Sequence, residues 1–416
     1  MITLGIETSC DETALALIET RGGKYRVIES LIHSQAELHS VYGGVFPTLA
    51  KREHSKNLVP LLKKLLEKSE IYATSEDGAG TKIPTTLTDE EFGSAMAALT
   101  NLLALKNSDL LESIKGADFL KKIPPIDQIA VTEGPGLEPA LWVGINFARI
   151  LSTIWKIPVV AVNHMEGHIV GSLLQTDKPY GTWQKLKELP LPAVALLISG
   201  GHTELVKIET ASETYKYTIL GRTKDDAVGE AFDKVARLLG LPYPGGPHIS
   251  KLAHEAREKG LASLIKLPRP MIGSNDCDFS FSGLKTAVLY AMKKIPTKSE
   301  GGTADNTTSQ QDFKAGLARE FEDAVAETLD KKLRRAIDEQ NAKAIVIGGG
   351  VSANRLLRER FNKTAEEYGI PIFLPDHHIS GDNALMIALV ATMKSSPESD
   401  HDASKTLHAN GTKKLS

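Results

Sequence analysis

The chain has very little cysteine: only Cys10 and Cys277 among 416 residues. Two thiols cannot build a disulfide framework, so a small cross-linked secreted scaffold is excluded and a reducing cytoplasm is the expected compartment. Long apolar runs are missing too. None approaches the roughly 20 residues that span a bilayer, so no membrane association is expected. A targeting segment is not expected either, because Met1-Ile2-Thr3-Leu4-Gly5-Ile6-Glu7 enters a strand pattern at once. Neither sign of charge dominates: 49 Lys and Arg stand against 52 Asp and Glu, a net charge of −3. A nucleic acid would therefore have to meet a local basic patch. The remainder, 41% hydrophobic and 24% charged, is ordinary for a globular protein of two or three domains.

Two stretches share one grammar. Leu4 to Ile18 reads as strand, polar turn, strand, with the turn at Thr8-Ser9-Cys10-Asp11-Glu12. Val194 to Ile208 repeats it: Ala195-Leu196-Leu197-Ile198, the turn Ser199-Gly200-Gly201-His202-Thr203, then Leu205-Val206-Lys207-Ile208. Each half adds a second echo. Ile129-Ala130-Val131-Thr132 runs into Glu133-Gly134-Pro135-Gly136, and Ala344-Ile345-Val346-Ile347 runs into Gly348-Gly349-Gly350 and a helix over Asn354–Lys363. Buried strands that lead through Gly-rich turns into helices predict an α/β sheet with ligands at the strand ends. The echo predicts two similar α/β domains facing a cleft. Gly-rich backbone lets N–H groups approach an anion, and helix N-termini add a favourable dipole. One such turn is usually only a tight turn, but four after four strands favour a nucleotide.

The expected division is 1–162, with a peripheral helical insertion at about 73–125, then 163–393, then a disordered tail at 394–416. Thr88 and Glu91 have the spacing of a capping box for a helix reaching about Leu105, and a second helical stretch is expected near Ser108–Lys121. Pro296 to Gln311 reads as a polar loop. Ser280-Phe281-Ser282-Gly283-Leu284-Lys285 is a candidate lining of the cleft, while Phe279 and Phe281 read as core.

His164 and His168 stand four apart in Asn163-His164-Met165-Glu166-Gly167-His168. On a helix that spacing puts both imidazoles on one face, where they can grip one metal ion. The peptidase motif H-E-x-x-H places a general-base Glu directly after the first His. Met165 holds that place and Glu166 points elsewhere, so the metal reading survives while the metallopeptidase reading weakens. Two polar-seam histidines are the plain alternative. A third ligand should be a carboxylate, and Asp382 in Ser380-Gly381-Asp382-Asn383-Ala384 is the best candidate. An Asp opening a helix is more often an N-cap, so both readings of Asp382 stand. Two His and one carboxylate would leave open coordination, as catalysis needs.

Ile6-Glu7-Thr8-Ser9-Cys10-Asp11-Glu12-Thr13, the His164–His168 motif, Ser199–Thr203, Gly229-Glu230-Ala231-Phe232-Asp233-Lys234, Gly349-Gly350-Val351-Ser352-Ala353-Asn354 and Ser380–Asn383 occur in that order. Together they resemble the tRNA N6-adenosine threonylcarbamoyltransferase family, bacterial TsaD subunit. The resemblance spans nearly the whole chain except the insertion and tail. It implies an actin/Hsp70-like (ASKHA) α/β fold, two ribonuclease-H-like domains around a nucleotide cleft. It also implies transfer of threonylcarbamoyl from threonylcarbamoyl-AMP to N6 of adenosine 37 in tRNAs reading codons that begin with A. His164, His168 and Asp382 match the family's ligands for one divalent metal, usually iron, with zinc also seen. Leu197, Ile198, Ser199, Gly200 and Gly201 match the loop that meets the donor, and Asp233, Gly246 and Asn354 match positions that hold its adenylate. Asp11 and Glu12, in a turn that could simply be a hairpin cap, are candidates for catalysis at the cleft floor. Implied partners are tRNA, a TsaB-like paralogue and a TsaE-like ATPase; the mitochondrial branch works instead as a homodimer. Glu138 and Pro139 depart from the small residues common in their loop. Lys51, Arg52, Lys56, Lys63 and Lys64 form a helix face that is a candidate for tRNA contact, though such a run is usually solvated surface. Rival functions are a metallopeptidase and an ATP-dependent chaperone or kinase of the same fold.

Overall fold

The computed structural model describes residues 1–72, 85–103, 108–175, 177–211, 214–294, 305–394 and 407–415. In chain order the chain begins with β1 (Ile2–Glu7), β2 (Glu12–Arg21), β3 (Lys24–Ser34), α1 (Ala36–Ser40) and α2 (Pro47–Lys68). Next come the short β4 (Thr85–Thr86), α3 (Asp89–Leu103), α4 (Ser108–Lys115) and the short β5 (Lys122–Ile123). Then follow β6 (Gln128–Gly134), α5 (Glu138–Trp155), β7 (Val159–Asn163) and α6 (His164–Gly171). The second sheet is built from β8 (Ala193–Ile198), β9 (Thr203–Thr210), β10 (Tyr215–Arg222), β11 (Ala344–Gly348) and β12 (Ile372–Phe373). Its helices are α7 (Val228–Leu239), α8 (Gly245–Glu258), α9 (Ser282–Met292), α10 (Asp305–Gln340) and α11 (Arg355–Tyr368), and α12 (Ala384–Met393) closes the series.

The two five-stranded sheets have one topology. Their orders are β3-β2-β1-β6-β7 and β10-β9-β8-β11-β12. In each, three strands form an antiparallel meander and the other two add in parallel beside the first strand. That is the ribonuclease-H-like arrangement, present twice, as the actin/Hsp70-like class requires. The central strands carry unbroken apolar runs because helices cover both faces. All of Ala193–Ile198 and all of Ala344–Gly348 are buried, whereas the edge strand β10 is only partly so. Phe279 and Phe281 are fully buried, as their sequence context predicts.

The chain packs as two compact units, 1–35 with 45–188 and 382–415, and 36–44 with 189–381. This departs from the expected division at 162/163. The helix α6 and the segment from Asp382 onward both belong to the first unit. The reason is α12: its residues Ala384–Val390 and Ala391 are all buried, and it packs on β1, β2 and α6. A helix apolar all round needs cover on every side.

The insertion is less peripheral than expected. Leu110, Leu111, Ile114 and Leu120 are buried in the same apolar cluster as Leu58 and Leu62 of α2. The capping box is present: the Thr88 N–H donates to Glu91 Oε2 at 2.8 Å and the Glu91 N–H to Thr88 Oγ1 at 3.2 Å. The second helical stretch stops at Lys115 and gives way to a 3-10 turn over Asp118–Lys121. The polar loop expected over 296–311 is helical from Asp305, where α10 starts; 296–304 lie outside the described residues. The tail expected to be disordered over 394–416 is docked over 407–415, while 395–406 and 416 lie outside the described residues. Leu407 and Leu415 are buried, the Asn410 N–H donates to the Glu133 carbonyl at 2.8 Å, and Arg149 Nη2 donates to the Leu407 carbonyl at 2.6 Å. Backbone hydrogen bonding holds a segment that has no sequence periodicity of its own.

Candidate functional site

In the first unit, β1, β6 and β7 lie side by side and parallel, so their C-terminal ends form one rim. The chain turns straight from β7 into α6. Asn163 makes that turn possible as N-cap: its Oδ1 accepts from the N–H of Met165 at 2.9 Å and of Glu166 at 3.4 Å. His164 and His168 project from α6 with ring centroids 4.6 Å apart, and both are buried. Asp382 Oδ1 lies 3.3 Å from Nε2 of each imidazole. The N-cap of α12 is Asn383, which accepts the Met386 N–H at 3.1 Å. The capping role left open for Asp382 is therefore filled by its neighbour, and its carboxylate faces the two histidines.

One observation tests whether these residues suit a metal. His168 Nε2 is buried and makes no hydrogen bond, although Asp382 Oδ1 is near. A buried polar nitrogen without a partner is costly. Ligand atoms of His164, His168 and Asp382 all lie within 4.8 Å of one another. Two imidazole nitrogens and a carboxylate oxygen around one point fit a divalent ion.

Electrostatics tie the cluster together. Burial works against charge on His164, but Asp382 and Glu7 outweigh it and hold its pKa well above the ordinary value. Burial lowers the pKa of His168. For Asp382, burial is overcome by attraction to His164 and the carboxyl sits well below its usual range. Glu7, wholly buried at the end of β1, behaves likewise: burial is outweighed by His164 and its pKa is lowered.

The turn between β1 and β2 carries the other candidates. Asp11 is buried and Glu12 half-buried. Burial, Asp11 and Asp382 push the Glu12 carboxyl well above its usual range. Burial and the same two carboxylates raise the Cys10 thiol well above its ordinary value, so Cys10 is not a thiolate at neutral pH. The turn is held from behind by His54 of α2. Its Nε2 donates to the Cys10 carbonyl at 3.0 Å, and its Nδ1 accepts from Thr13 Oγ1 at 2.7 Å; these partners assign the tautomer.

In the second unit the residues that match the family's motifs sit at the end of β8 and the turn beyond it, in α7, and at the starts of α8 and α11. Leu197 and Ile198 end β8, and Ser199-Gly200-Gly201 make the turn beyond it. Gly349, at φ +91°, sits so close that a Cβ would lie 2.4 Å from the Ile198 carbonyl oxygen. Two Gly-rich turns distant in sequence thus meet at the ends of adjacent parallel strands. Gly229 near the start of α7 abuts the same turn, since a Cβ there would lie 2.8 Å from Gly200 Cα. Asp233 follows one turn later on the same face. Its Oδ1 accepts the Gly245 N–H at 2.7 Å, which brings Gly246 and the start of α8 beside it. Asp233 also borders an open cavity of about 360 Å³ with Tyr42, Arg237 and Tyr243. Asn354 is more committed than its carry-over suggests. Its Oδ1 caps α11 through the Leu357 N–H at 3.0 Å, and its Nδ2 donates to the buried Glu322 at 2.7 Å.

Neither a peptidase base nor a bare basic face is found among the described residues at the places the sequence pointed to. Met165 is buried and Glu166 pairs with Lys394 at 3.4 Å. On α2, Lys56 and Arg52 share Glu53 at 2.8 and 3.7 Å, and Lys63 lies 4.0 Å from Glu67, so the helix answers part of its own charge. The sequence reading assigned no role to Glu7, Thr132, His54 or the Asn163 cap. Glu7 had a signal, a carboxylate ending a mostly apolar strand. His54 had none.

Paired ribonuclease-H-like sheets with Gly-rich turns at the strand ends define a protein of the actin/Hsp70-like class. Within that class, a model of TsaD, tRNA N6-adenosine threonylcarbamoyltransferase, matches residues 26–78 and 117–389. The chain belongs to the tRNA N6-adenosine threonylcarbamoyltransferase family. The relative so named from Ralstonia pickettii is 40% identical over 394 residues, 95% of this chain and 91% of that protein. The one from Burkholderia mallei is 39% identical over 394 residues, 95% of this chain and 92% of that protein. Among solved structures, component A of the (R)-2-hydroxyglutaryl-CoA dehydratase of Acidaminococcus fermentans is 13% identical, with a TM-score of 0.44, over 95% of this chain and 100% of that one. Residues 79–116 fall between the two segments matched by the family, in keeping with an insertion.

Proposed function

We propose that this enzyme transfers the threonylcarbamoyl group of threonylcarbamoyl-AMP to N6 of adenosine 37 in tRNAs that read codons beginning with A. The observation that carries the reading is the family match, which takes in residues of both units. The adenosine amine attacks the carbamoyl carbon, the N–C bond forms, the C–O bond to the AMP phosphate breaks, and one amine proton is lost. AMP is a good leaving group, so positioning carries much of the rate.

In the second unit the donor meets the turn that follows Leu197 and Ile198, through the backbone of Gly200 and Gly201 beyond Ser199, and Asp233, Gly246 and Asn354 hold its adenylate. In the first unit, His164, His168 and Asp382 hold one divalent metal, Fe2+ by resemblance to the family and Zn2+ as its substitute. When bound, that ion supplies Lewis-acid polarisation of a donor oxygen. Glu12 takes the proton: its raised pKa makes it the better-matched base, and burial, with Asp11 beside it, keeps it raised. Cys10 stays protonated and does not carry the acyl group.

The enzyme works in the cytoplasm with tRNA, a TsaB-like paralogue and a TsaE-like ATPase, because a net charge of −3 leaves this chain a weak tRNA binder alone. A homodimer is the contrary arrangement. The deciding experiment is incubation with threonylcarbamoyl-AMP and unmodified tRNA, with mass spectrometry of the nucleosides. Absence of N6-threonylcarbamoyladenosine with every partner present refutes the reading.

A further inference from the structure

We propose that Glu7 is a positioning residue for the metal centre. It fixes His164 so that only Nε2 is presented as a ligand, and it supplies the second negative charge that makes the site neutral around a divalent ion. The inference rests on the reading of His164, His168 and Asp382 as ligands.

Glu7 is 0% exposed and ends a strand whose preceding residues from Thr3 are all buried. A carboxylate there is costly unless its oxygens are filled. They are filled. Oε2 lies 3.0 Å from His164 Nδ1 and accepts from Thr132 Oγ1 at 2.6 Å, while Oε1 accepts the Ser9 N–H at 2.5 Å. The partners come from the adjacent strand β6, from the turn that leaves β1, and from the first residue of α6. None hangs from a long flexible loop, so the carboxylate is located by the sheet itself.

A carboxylate only accepts. His164 Nδ1 must therefore carry the hydrogen, with Ser9 Oγ as a second neighbour at 3.2 Å. With Nδ1 committed to Glu7, Nε2, which faces Asp382, is the nitrogen left to ligate once an ion lies between them. A carboxylate behind a ligating imidazole fixes its ring and raises its basicity. Charge points the same way. When both imidazoles ligate as neutral groups, Asp382 and Glu7 are the negative groups directly paired with the cluster, and together they balance the two positive charges of the ion.

The test titrates the metal-free full chain with Zn2+ and, separately, Co2+, against a chromophoric chelator, with circular dichroism as the check on folding. Wild type, Glu7→Gln, Thr132→Val and His168→Ala are compared. Gln matches Glu in volume but turns an amide NH2 toward donors, and the Ser9 N–H cannot rotate away. Glu7→Gln is expected to weaken metal binding by about 10–100-fold and to shift the Co2+ absorption band. Thr132→Val, which keeps the carboxylate but removes one donor, should weaken it less, in the same direction. Wild-type affinity and an unchanged Co2+ spectrum in Glu7→Gln, with His168→Ala unable to bind, overturn the inference and leave the metal reading standing. A wild type that binds neither ion, or a His168→Ala that binds as well as wild type, overturns the metal reading and this inference with it. If Glu7→Gln does not fold, Thr132→Val decides, and an unchanged affinity there overturns the inference.

Discussion

Replacing Asp233 should separate two jobs that its position combines. Its Oδ1 already accepts the Gly245 N–H at 2.7 Å and so anchors the start of α8. Its place beside the open cavity of about 360 Å³ leaves the carboxylate able to accept from ribose hydroxyls as well. Asp233→Ala removes both bonds. Losing a charge-assisted hydrogen bond to ligand costs about 1.5–3 kcal/mol, or roughly 10–150-fold in Kd. Losing the Gly245 contact costs about 1 kcal/mol of stability. Asp233→Asn keeps an oxygen for Gly245 and turns the ribose bond into a neutral one. It should cost about 1 kcal/mol of binding, roughly fivefold, with little change in melting. The assay is calorimetric titration with AMP alongside thermal unfolding of each variant. Asp233→Ala with wild-type affinity refutes the adenylate role. Asp233→Asn at wild-type affinity, beside an Ala variant weakened only as far as it is destabilised, leaves Asp233 as an anchor of α8 and nothing more.

The metal reading predicts that His168→Ala loses most of the one ion per chain, and elemental analysis showing full stoichiometry would sink it. Asp11→Asn and Glu12→Gln should fold nearly normally and form much less product; if neither changes product formation, both are turn formers. Because a base must be ionised to act, the wild-type rate should rise with pH through the raised Glu12 pKa, giving an acid limb above the usual carboxylate range. That limb should vanish in Glu12→Gln. Given only threonylcarbamoyl-AMP and tRNA, the chain should turn over slowly or not at all, and adding the paralogue, the ATPase and a supply of intermediate should restore multiple turnover. Fast turnover by the chain alone moves it to the homodimeric arrangement.

Much of the fold was legible because its central strands are written in unbroken apolar runs. Val194–Ile198 and Ala344–Ile347 could be little else once Gly-rich turns followed each. The His164/His168 pair was legible for a similar local reason: four residues of helix put both imidazoles on one face whatever surrounds them. Asp382 was legible only as a choice between ligand and cap. Deciding it needed the side chain next door, because only the geometry shows Asn383 taking the Met386 N–H. The capping box at Thr88 and Glu91 succeeded because its reciprocal bonds span three residues.

What could not be read was whatever depends on partners distant in sequence. The tail has no periodicity, so composition predicts disorder, yet 407–415 is held mostly by backbone groups whose partners lie at Glu133, Arg149 and Asn163. Main-chain donors and acceptors are present in every residue and leave no mark in the sequence. The division at 162/163 failed for a related reason. α12 comes last in the chain but covers β1, the first strand, and it carries Asp382 at its threshold back to the two histidines. The candidate metal centre is therefore assembled within one unit from two segments far apart in the chain. His54 makes the same point at smaller scale. Nothing about a histidine in a basic helix says that it holds the Cys10 carbonyl, and through it the turn bearing Asp11 and Glu12. Local chemistry can be read along a chain, whereas the supports that aim it are set by topology, which is why Glu7, paired with Thr132 across neighbouring strands, carries a role that spacing alone could not suggest.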